Sequence, residues 1–336
     1  MGHENMKIII PMAGKGTRLR PHTLIRPKPL LKVAGKTMLQ HLLDPFMKLN
    51  VSEIIFVVNP GQGDKIVEVV KKNYKINARF VEQKVADGTA GAVIIAKEFI
   101  TEDVIIIYAD TLNDADLSLI KKSQKDKNSG GIFWAKEVED YQRFGVLVTD
   151  SKGNITKIVE KPKEPISKLA NIGMYYIKDY KLMIEGLEYL YKNKITQSGE
   201  YFLVHAFQYM IDHGAKFQIA PIVGWYDCGT LPALLETNQV LLKRMHTVNS
   251  KLVNSVVIPP VFIDKNVVIQ NCVIGPNVSI SSGGIIKDSI IKNSIIDHDS
   301  KLSDVKLKDT TLGENVTLTS TYKKLHLGDY SEVHYE

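Results

Sequence analysis

The chain has 336 residues, 44% of them apolar, which is enough for one large domain with its own core and a second, smaller domain. Its formal net charge of +6 is uneven, because residues 249–336 carry nine lysines against ten acidic residues and residues 1–248 therefore carry +7. This excess suits anionic small molecules, although a solvated lysine-rich surface accounts for it equally well. The basic residues are scattered among acidic ones, which argues against nucleic-acid binding.

Cysteine spacing and apolar runs bear on the cellular compartment. Cys228 and Cys272 are far apart in the sequence, so neither a disulfide framework nor a metal cluster is expected, as is typical of a reducing compartment. No apolar run has membrane-spanning length, and the opening residues MGHENMKIII lack the pattern of a signal peptide. We therefore expect a cytoplasmic protein without membrane association.

Strand-like and helical patterns alternate over the first 245 residues. Apolar runs at 7–11, 53–59 and 104–108 and a strand-like segment at 78–82 predict strands, and helical spacing at 38–49, 64–73 and 90–98 predicts the helices between them. Further strands are predicted in GIFWAKEV, FGVLVTD, ITKIVEK and NIGMYYI, and further helices at 201–212 and 231–244. Because the first strands are apolar without alternation, they indicate a sheet covered on both faces. We predict a mixed, mostly parallel α/β domain over residues 1–248.

After Arg244 the pattern changes to a short, regular period. Small, polar, Asn, Asp and Gly residues separate aliphatic residues that recur at gaps of five or six. The aliphatic positions are Leu252, Ile258, Ile263, Ile269, Ile274, Ile280, Ile286, Ile291, Ile296, Leu302, Leu307, Leu312 and Leu318. Such a period is typical of a parallel β-helix of about four coils, whereas a β-sandwich would show strand–turn units of about 8–12 residues. We predict this fold for a second domain, residues 249–336.

A glycine-rich stretch, Gly14-Lys15-Gly16-Thr17, follows the first predicted strand. Glycines allow a backbone to approach an anion closely and to present its N–H groups, although a tight structural turn also explains them. The stretch is neither a Walker loop nor a complete G-x-G-x-x-G fingerprint. Arg18 and Lys28 strengthen the interpretation as a phosphate site, since they add a guanidinium and an ammonium to the same loop.

The stretch GKGTRLRPHTLIRPKPLLKVAGK (residues 14–36) closely resembles the signature G-x-G-T-R-L-x-P-x-T-x-x-x-P-K-x-[LM] of the sugar-1-phosphate nucleotidyltransferases. The similarity extends through the first domain, and the two-domain pattern resembles long-form glucose-1-phosphate thymidylyltransferase. This resemblance implies a Rossmann-like domain followed by a left-handed parallel β-helix. It also implies a Mg²⁺-dependent reaction of dTTP or UTP with a hexose 1-phosphate, foremost glucose 1-phosphate, that makes a dTDP- or UDP-sugar and releases pyrophosphate.

The resemblance assigns site residues wherever the family's motif residues match. The nucleotide residues are Ala13, Gly14, Lys15, Gly16, Thr17 and Arg18 in the loop, with Gln83 and Gly88 of EQKVADGTAGA at the base. The sugar-phosphate residues are Gly145 of FGVLV, Glu160 and Lys161 of VEKP, Asn171, and Glu200 of GEYFL. The implied metal ligands are Asp110 of YADTLND and Asp227 of WYDCGT, and the implied catalytic residues are Arg18, Lys28, Asp110, Lys161 and Asp227.

Nucleotidyl transfer needs residues of these types. Two anions must be neutralised and held in line, and no covalent protein intermediate is required, so no serine or cysteine nucleophile is expected. Two carboxylates can hold Mg²⁺, which keeps most of its ligands as water and phosphate oxygens. Arg18 offers a planar fork, whereas Lys28 and Lys161 act as point charges. An isolated aspartate after a strand is commonly a cap or a turn residue, so the signature gives the two aspartates their meaning.

Three positions depart from the family pattern. Ala13 stands where many relatives have glycine, and Thr37 stands where proline is common and could cap the next helix. After GEYFL, Val204-His205 replaces a Thr-Asp pair, which leaves the identity of the sugar open. His205 is interpreted as a structural substitution rather than as a catalytic base.

Two alternative functions arise within the same superfamily. In bifunctional members the β-helix carries a CoA-dependent acetyltransferase, for which His298, His326 and His334 are candidate bases, but a short acidic β-helix suits a polyphosphate cofactor poorly. In a catalytically silent regulatory subunit, Lys28, Asp110, Lys161 or Asp227 would be lost first, and all four are present. We therefore expect the β-helix to mediate assembly into a homo-oligomer or to respond to an effector.

Overall fold

The computed structural model describes residues 5–14 and 16–320, and these residues form two compact units. Within the described part, the first unit comprises residues 5–32 and 36–237, and the second comprises residues 33–35 and 238–320. The predicted division after residue 248, taken as a boundary between folding domains, stays a prediction. No helix in the described part of the chain combines the length and apolarity needed to cross a membrane.

The first unit is built on a mixed nine-stranded sheet. The strands in residues 6–227 are β1 (Met6–Pro11), β2 (Lys32–Val33), β3 (Lys36–Thr37), β4 (Val51–Val58), β5 (Ala78–Glu82), β6 (Val104–Ile107), β7 (Thr111–Asn113), β8 (Gly131–Glu137), β9 (Gly145–Thr149), β10 (Ile155–Glu160), β11 (Leu169–Ile177), β12 (Phe217–Pro221) and β13 (Trp225–Asp227). Seven strands lie in the order β10-β9-β11-β6-β1-β4-β5, and β8 joins β12 to β11. Strands β6, β1, β4 and β5 are parallel, whereas β11 runs antiparallel to β6.

Helices cover this sheet and connect its strands. They are α1 (Met38–Leu43), α2 (Gly63–Asn73), α3 (Thr89–Ile94), α4 (Ser118–Lys125), α5 (Tyr180–Lys192) and α6 (Leu203–Asp212). A further helix, α7 (Leu231–Met245), begins in the first unit and continues into the second. Thr37 caps α1, because its side chain accepts from the Gln40 backbone N–H while the Gln40 side chain accepts from the Thr37 N–H. The predicted helix over 38–49 is shorter than expected, since Pro45 lacks an N–H and the chain continues as a 3-10 turn.

The core confirms that the central strands are covered on both faces. Successive side chains of a strand point to opposite faces, and Ile8, Ile9 and Ile10 of β1 are all 0% exposed. On one face, Ile9 and Ile55 pack into a cluster with apolar side chains of α3, α5 and α6. Burial of a full aliphatic side chain contributes roughly 1.5–3 kcal/mol, so these runs fix the sheet.

The second unit is a left-handed parallel β-helix, and the predicted fold class is confirmed. Its strands are β14 (Thr247–Val248), β15 (Leu252–Val253), β16 (Val256–Val257), β17 (Val261–Ile263), β18 (Val268–Gln270), β19 (Val273–Ile274), β20 (Val278–Ile280), β21 (Ile285–Lys287), β22 (Ile290–Lys292), β23 (Ser294–Ile296), β24 (Lys301–Ser303), β25 (Lys306–Lys308), β26 (Thr311–Leu312) and β27 (Thr317–Thr319). They stack in three parallel sheets, β14-β17-β20-β23-β26, β15-β18-β21-β24-β27 and β16-β19-β22-β25. The aliphatic ladder fills the interior, with Ile269 above Ile286 and Ile286 above Leu302.

One position of the predicted ladder is wrong. Ile258 is 42% exposed, and Val257 instead packs against the interior cluster. The register explains the difference, since Val257 lies beside the fully buried Ile274 of the next coil. Because side chains alternate along a strand, the inward position of Val257 leaves Ile258 outside.

The Asn and Asp residues between the aliphatic positions form the corners of the coil. Asn254, Asn271 and Asp288 all have positive φ, which Asn and Asp tolerate better than most side chains. Their side chains are also linked, as the Asn254 amide donates to Asn271 at 2.9 Å and the Asn271 amide donates to Asp288 at 2.9 Å. The corners therefore reinforce the stacking of successive coils.

Replacing Ile291 by alanine should destabilise the second unit far more than replacing its neighbour Ile290. Ile291 is 0% exposed, whereas Ile290 in the same strand is 47% exposed. Removal of a buried aliphatic side chain costs about 2–5 kcal/mol, and a surface substitution changes the free energy of unfolding by about 0.5 kcal/mol. Urea unfolding of the two full-length variants measures the difference, and equal losses would contradict the inward placement of Ile291.

Candidate active site

Residues that the sequence singled out lie at one edge of the sheet in the first unit. The glycine-rich loop follows β1, Asp110 follows β6, and Gln83 follows β5. Strands β6, β1, β4 and β5 are parallel neighbours, so their carboxyl ends share this edge. Ligands of open α/β sheets bind at such an edge, which makes this region the candidate active site.

The loop after β1 is folded tightly around Gly16. This residue has a φ of +61°, and a Cβ added to it would lie 3.2 Å from Thr23 Cγ2 and 3.3 Å from Lys28 Cβ. The Thr23 hydroxyl donates to the Gly16 carbonyl at 2.7 Å and closes the loop. A glycine is therefore needed here both for its backbone conformation and for space. Lys15, which the resemblance also assigned to the nucleotide, lies outside the described residues.

An ion pair attaches this loop to the end of β6. Lys28 begins a 3-10 turn, and its Nζ donates to Asp110 Oδ2 at 2.7 Å. The Lys28 side chain is only 14% exposed, whereas Asp110 is 42% exposed and remains accessible from the cavity. The pair spans 82 residues of sequence, so it fixes the loop relative to the sheet.

A two-stranded ribbon brings the second aspartate beside the first. Strand β13 pairs antiparallel with β7, and Asp227 lies opposite Thr111, the residue that follows Asp110. Asp227 Oδ1 accepts from the Gly229 N–H at 2.7 Å, which orients the carboxylate. Arg18 is close by, since its Nη2 would lie 3.5 Å from a Cβ added to Gly229. The ribbon therefore places a guanidinium and two carboxylates together.

These groups open into a cavity of about 490 Å³ in the first unit. Predicted residues that line it are Arg18, Asp110, Gly145, Glu160, Lys161, Asn171 and Asp227. Arg18 and Lys161 form no ion pair with any carboxylate of the described residues. Uncompensated cations facing a cavity attract anions, so the cavity suits a phosphate-bearing ligand.

Gly145 gives the cavity its shape. A Cβ at this position would lie 2.4 Å from Asn171 Nδ2 and 2.8 Å from Glu160 Oε2, so any side chain would displace both polar groups. The Asn171 amide donates to the Gly145 carbonyl at 3.0 Å, and its Oδ1 accepts from the Tyr175 hydroxyl at 2.6 Å. Asn171 therefore holds the wall of the cavity in addition to facing it.

Several predicted residues lie at the same edge but not on the cavity wall. They are Ala13, Gly14, Gly16, Thr17, Lys28, Gln83, Gly88 and Glu200. The loop residues follow β1 directly, and Gly88 precedes Thr89, which does line the cavity. Glu200 is exposed, and its N–H donates to the Gln197 carbonyl at 3.1 Å. The structure thus divides the predicted residues into two groups. Those that line the cavity form the pocket, and the others lie along or beside the shelf, which is the carboxyl edge of β1, β4 and β5.

Sequence analysis missed the aromatic part of the cavity. Tyr108, Phe144, Phe202 and Trp225 line it, and the rings of Phe144 and Trp225 lie 4.8 Å apart. The Lys161 ammonium lies 5.5 Å from the Phe202 ring centre, within reach of a cation–π interaction. All four aromatic residues lie within or at the start of the motifs YADTLND, FGVLV, GEYFL and WYDCGT, but nothing in the sequence placed Phe144 near Trp225, because their segments meet only in the fold.

The carboxylates of the cavity fit Mg²⁺. Asp110 and Asp227 line the same cavity and offer two carboxylates, which matches the one or two that Mg²⁺ commonly takes when substrate phosphates supply the remaining ligands. Among the described residues no group of three or more His, Cys, Asp or Glu side chains could form an all-protein metal cage. The residues present therefore fit a metal that is shared with a phosphate ligand.

Cys228, between Asp227 and Gly229, does not fit a nucleophile. The thiol is buried, and burial raises its pKa to about 12. A thiol with so high a pKa is protonated at neutral pH, whereas the thiolate is the reactive form. This agrees with the expectation that the chemistry proceeds without a covalent protein intermediate.

The four histidines that the sequence singled out differ in placement. His205 does not line the cavity, although its neighbour Val204 does, and burial lowers the pKa of His205. His298 lies in the β-helix, where its Nδ1 is 3.0 Å from the Ser282 hydroxyl. His326 and His334 lie outside the described residues.

Comparison with known proteins gives the family. A profile described as Nucleotidyl transferase matches residues 7–244, which include both aspartates and the whole glycine-rich loop. The chain belongs to the nucleotidyl transferase family. The match covers the α/β part of the chain and ends before the first strand of the β-helix.

Named relatives agree with this assignment. The bifunctional protein GlmU of Methanocaldococcus jannaschii is 35% identical over 252 residues, which are 75% of this chain and 58% of that protein. The UTP–glucose-1-phosphate uridylyltransferase AglF of Haloferax volcanii is 30% identical over 223 residues, 66% of this chain and 89% of AglF. The chain thus matches little more than half the length of its GlmU relative.

A solved structure shares the fold. The crystal structure of a putative glucose-1-phosphate thymidylyltransferase from Bacillus anthracis, in complex with sucrose, superposes with a TM-score of 0.61. It covers 70% of this chain and 94% of its own, at 24% sequence identity. Identity at this level supports the fold of the nucleotidyl transferase part and no finer conclusion.

Glu160→Gln should raise the stability of the protein at pH 7.5 and lose this advantage in acid. Burial raises the pKa of Glu160, although Lys161 opposes the shift. A carboxyl with a raised folded pKa favours folding below its unfolded pKa of about 4.3, and this contribution is lost as pH rises through the folded pKa. Glutamine removes the buried charge at similar size.

Differential scanning fluorimetry between pH 4 and 8 measures this effect. We expect the Tm of Glu160→Gln to exceed that of the wild type at pH 7.5 and the gap to close near pH 4. Glu164→Gln is the matched control, because Glu164 is exposed. A lower Tm for Glu160→Gln at pH 7.5, or the same gap at every pH, would contradict the buried-charge argument.

Proposed function

We propose that the protein is a Mg²⁺-dependent sugar-1-phosphate nucleotidyltransferase. It joins dTTP or UTP to a hexose 1-phosphate, foremost glucose 1-phosphate, and releases pyrophosphate. The observation that carries the proposal is one cavity that combines two unpaired cations, Arg18 and Lys161, with two adjacent carboxylates, Asp110 and Asp227. Cations for phosphates and carboxylates for a metal are both needed when two phosphorylated substrates must meet.

The pocket and the shelf suit the two substrates separately. The aromatic and polar pocket, with Gly145, Glu160 and Asn171, has the mixed lining that holds a sugar. The shelf, with Gly14, Gly16, Thr17 and Gln83, suits a nucleotide, because glycines let a phosphate approach the backbone closely and the Gln83 amide can bond to a base. Arg18 and Asp110 lie where the two regions meet, which is where the reacting phosphates belong.

The reaction follows from this arrangement. A phosphate oxygen of the hexose 1-phosphate attacks the α-phosphorus of the nucleoside triphosphate, a P–O bond forms, and the α–β bridge breaks to release pyrophosphate. Lys161 orients the attacking phosphate, and Arg18 stabilises the charge on the triphosphate. Lys28, held by Asp110 at 2.7 Å, brings a third cation close to the phosphates. Asp110 and Asp227 would hold Mg²⁺, which would neutralise phosphate charge when bound.

Similarity supports a pyrimidine nucleotide and a glucose phosphate. AglF, by its name, uses UTP and glucose 1-phosphate, and its match covers 66% of the present chain. Uracil and thymine present the same hydrogen-bonding edge, so dTTP and UTP both fit the proposal. Because Val204 lines the cavity where the family pattern has threonine, the sugar pocket is more apolar at this point than the pattern implies.

The C-terminal unit is proposed to be architectural and to support a homo-oligomer. Its interior is occupied by packed aliphatic side chains, and a short stack leaves its ends to be covered. The name of the GlmU relatives favours a second candidate, a bifunctional enzyme whose β-helix transfers acetyl groups from CoA. Two observations support the architectural role. Only 58% of the GlmU relative is matched, and His298 is hydrogen-bonded to Ser282. Acetyl transfer from acetyl-CoA to glucosamine 1-phosphate by the full-length protein would decide for the bifunctional candidate.

Purified full-length protein should release pyrophosphate with Mg²⁺, glucose 1-phosphate and either UTP or dTTP. A coupled pyrophosphate assay crosses the nucleoside triphosphates with glucose, N-acetylglucosamine and mannose 1-phosphates. Turnover should depend on both substrates and disappear with EDTA. Absence of pyrophosphate release in every combination would refute the proposed function.

Asp227→Asn should lower kcat by about 100-fold or more, because it removes one of the two proposed metal ligands. Asp150→Asn is the matched control, since Asp150 is an exposed turn residue that accepts from the Asn154 N–H at 2.9 Å. The same assay, with a Mg²⁺ titration for each variant, measures the change. Near-normal turnover of Asp227→Asn at limiting Mg²⁺ would remove Asp227 from the metal site.

A further inference from the structure

The amide of Gln83 is fixed in one orientation on the shelf. Its Nε2 donates to Asp87 Oδ1 at 3.2 Å and to the Gly88 carbonyl at 3.4 Å. No donor among the described residues is bonded to Oε1, and the residue is only 7% exposed. Both amide protons are therefore bonded to acceptors of Asp87 and Gly88. The carbonyl oxygen of Gln83 is the group that remains to accept a hydrogen bond from a ligand.

The Asp87 carboxylate is itself held by a tyrosine of α5. Asp87 Oδ2 accepts from the Tyr191 hydroxyl at 2.5 Å, while Oδ1 accepts from Gln83. Tyr191 stacks on Tyr201 with ring centres 4.1 Å apart and an angle of 16°. Burial and the neighbouring Asp87 carboxylate raise the pKa of Tyr191, so its hydroxyl stays a donor over the physiological range.

The backbone around Asp87 is hydrogen-bonded to Tyr201, which precedes α6. The Tyr201 N–H donates to the Asp87 carbonyl at 2.7 Å, and the Ala90 N–H donates to the Tyr201 carbonyl at 2.9 Å. Gly88 has a φ of +115°, and a Cβ there would lie 2.4 Å from the Tyr201 carbonyl oxygen. Because this segment is held on both sides, Asp87 has little freedom to turn away from Gln83.

We propose that Tyr191 and Asp87 are positioning residues that fix the Gln83 amide with its oxygen toward the nucleobase. The hydrogen bonds that connect Tyr191, Asp87 and Gln83 then select bases that have an N–H donor opposite the Gln83 carbonyl oxygen. Uracil and thymine carry such a donor at N3, whereas cytosine has a bare acceptor nitrogen there. Two facing acceptors repel and leave both groups unpaired, which a site built for hydrogen bonding penalises strongly. This inference rests on the proposed function, because it needs a nucleotide on the shelf.

The contacts explain why a carboxylate stands at position 87. A carboxylate only accepts hydrogen bonds, so it compels Gln83 to present N–H groups and Tyr191 to present O–H. Asparagine would offer a donor as well as an acceptor, and the Gly88 carbonyl alone would then hold the Gln83 amide in this orientation, at the longer distance of 3.4 Å. The Asp87 carboxylate thus sets the direction of its hydrogen bonds with Tyr191 and Gln83.

Two variants test the proposal in the full-length protein. Tyr191→Phe removes the donor to Asp87, and Asp87→Asn removes the acceptor-only group. We expect each to lower the ratio of kcat/KM for UTP over CTP by about tenfold, chiefly through a higher KM for UTP, with kcat nearly unchanged. Tyr189→Phe makes the same chemical change on the same helix at a 44% exposed tyrosine, and it should keep the wild-type ratio.

The outcomes separate this inference from the proposed function. Wild-type protein that releases no pyrophosphate with any nucleotide would refute both. An active wild type whose UTP-to-CTP ratio is unchanged in Tyr191→Phe and Asp87→Asn would overturn the positioning role alone. A lower Tm with the same ratio would likewise overturn it, because a merely structural role changes stability and leaves base selection intact.

Discussion

The ion pair between Lys28 and Asp110 is the interaction on which the rest of the site depends. At 2.7 Å it connects a loop of little regular structure to the end of a central strand, across 82 residues of sequence. Within the loop the regular structure is limited to short 3-10 turns, and prolines keep it from forming a longer helix. The Thr23 hydroxyl bonded to the Gly16 carbonyl and the Lys65 ammonium bonded to the Ile25 carbonyl give it further support. With Lys28 anchored, Arg18 stands beside the carboxylates, and the shelf and the pocket meet at one point.

The charged groups of the site favour ligand binding rather than the stability of the ligand-free protein. Glu160 is buried enough for its pKa to rise, and Arg18 and Lys161 face a cavity without a partner among the described residues. The partly buried carboxylate of Glu160 opposes folding, whereas Arg18 and Lys161 are exposed to solvent and carry little such cost. The sheet can tolerate this cost because its central strands are fully buried on both faces. Stability is therefore concentrated in the aliphatic strands, and charge is concentrated at their carboxyl ends.

The sequence was most informative where one residue pattern has one physical solution. The unbroken aliphatic runs of β1, β4 and β6 predicted their burial, and the five- and six-residue period predicted the coils of the second unit. Helix α4 was not predicted, because it is lysine-rich and buries only Ile120 and Ser123. The β7–β13 ribbon was missed for a different reason, since strands of three residues have no periodicity and form only when the tertiary fold aligns them. Motif resemblance supplied the site residues individually, but the pairing of Phe144 with Trp225 depends on the fold.

The path of the phosphate oxygens tests the central claim most directly. Glucose 1-phosphate carrying ¹⁸O in its three non-ester phosphate oxygens is incubated with unlabelled UTP, Mg²⁺ and the full-length protein. Attack by the sugar phosphate on the α-phosphorus predicts that mass spectrometry finds all three labels in the nucleoside diphosphate glucose and none in pyrophosphate. Label in pyrophosphate, or recovery of all label as unreacted glucose 1-phosphate, would contradict the account.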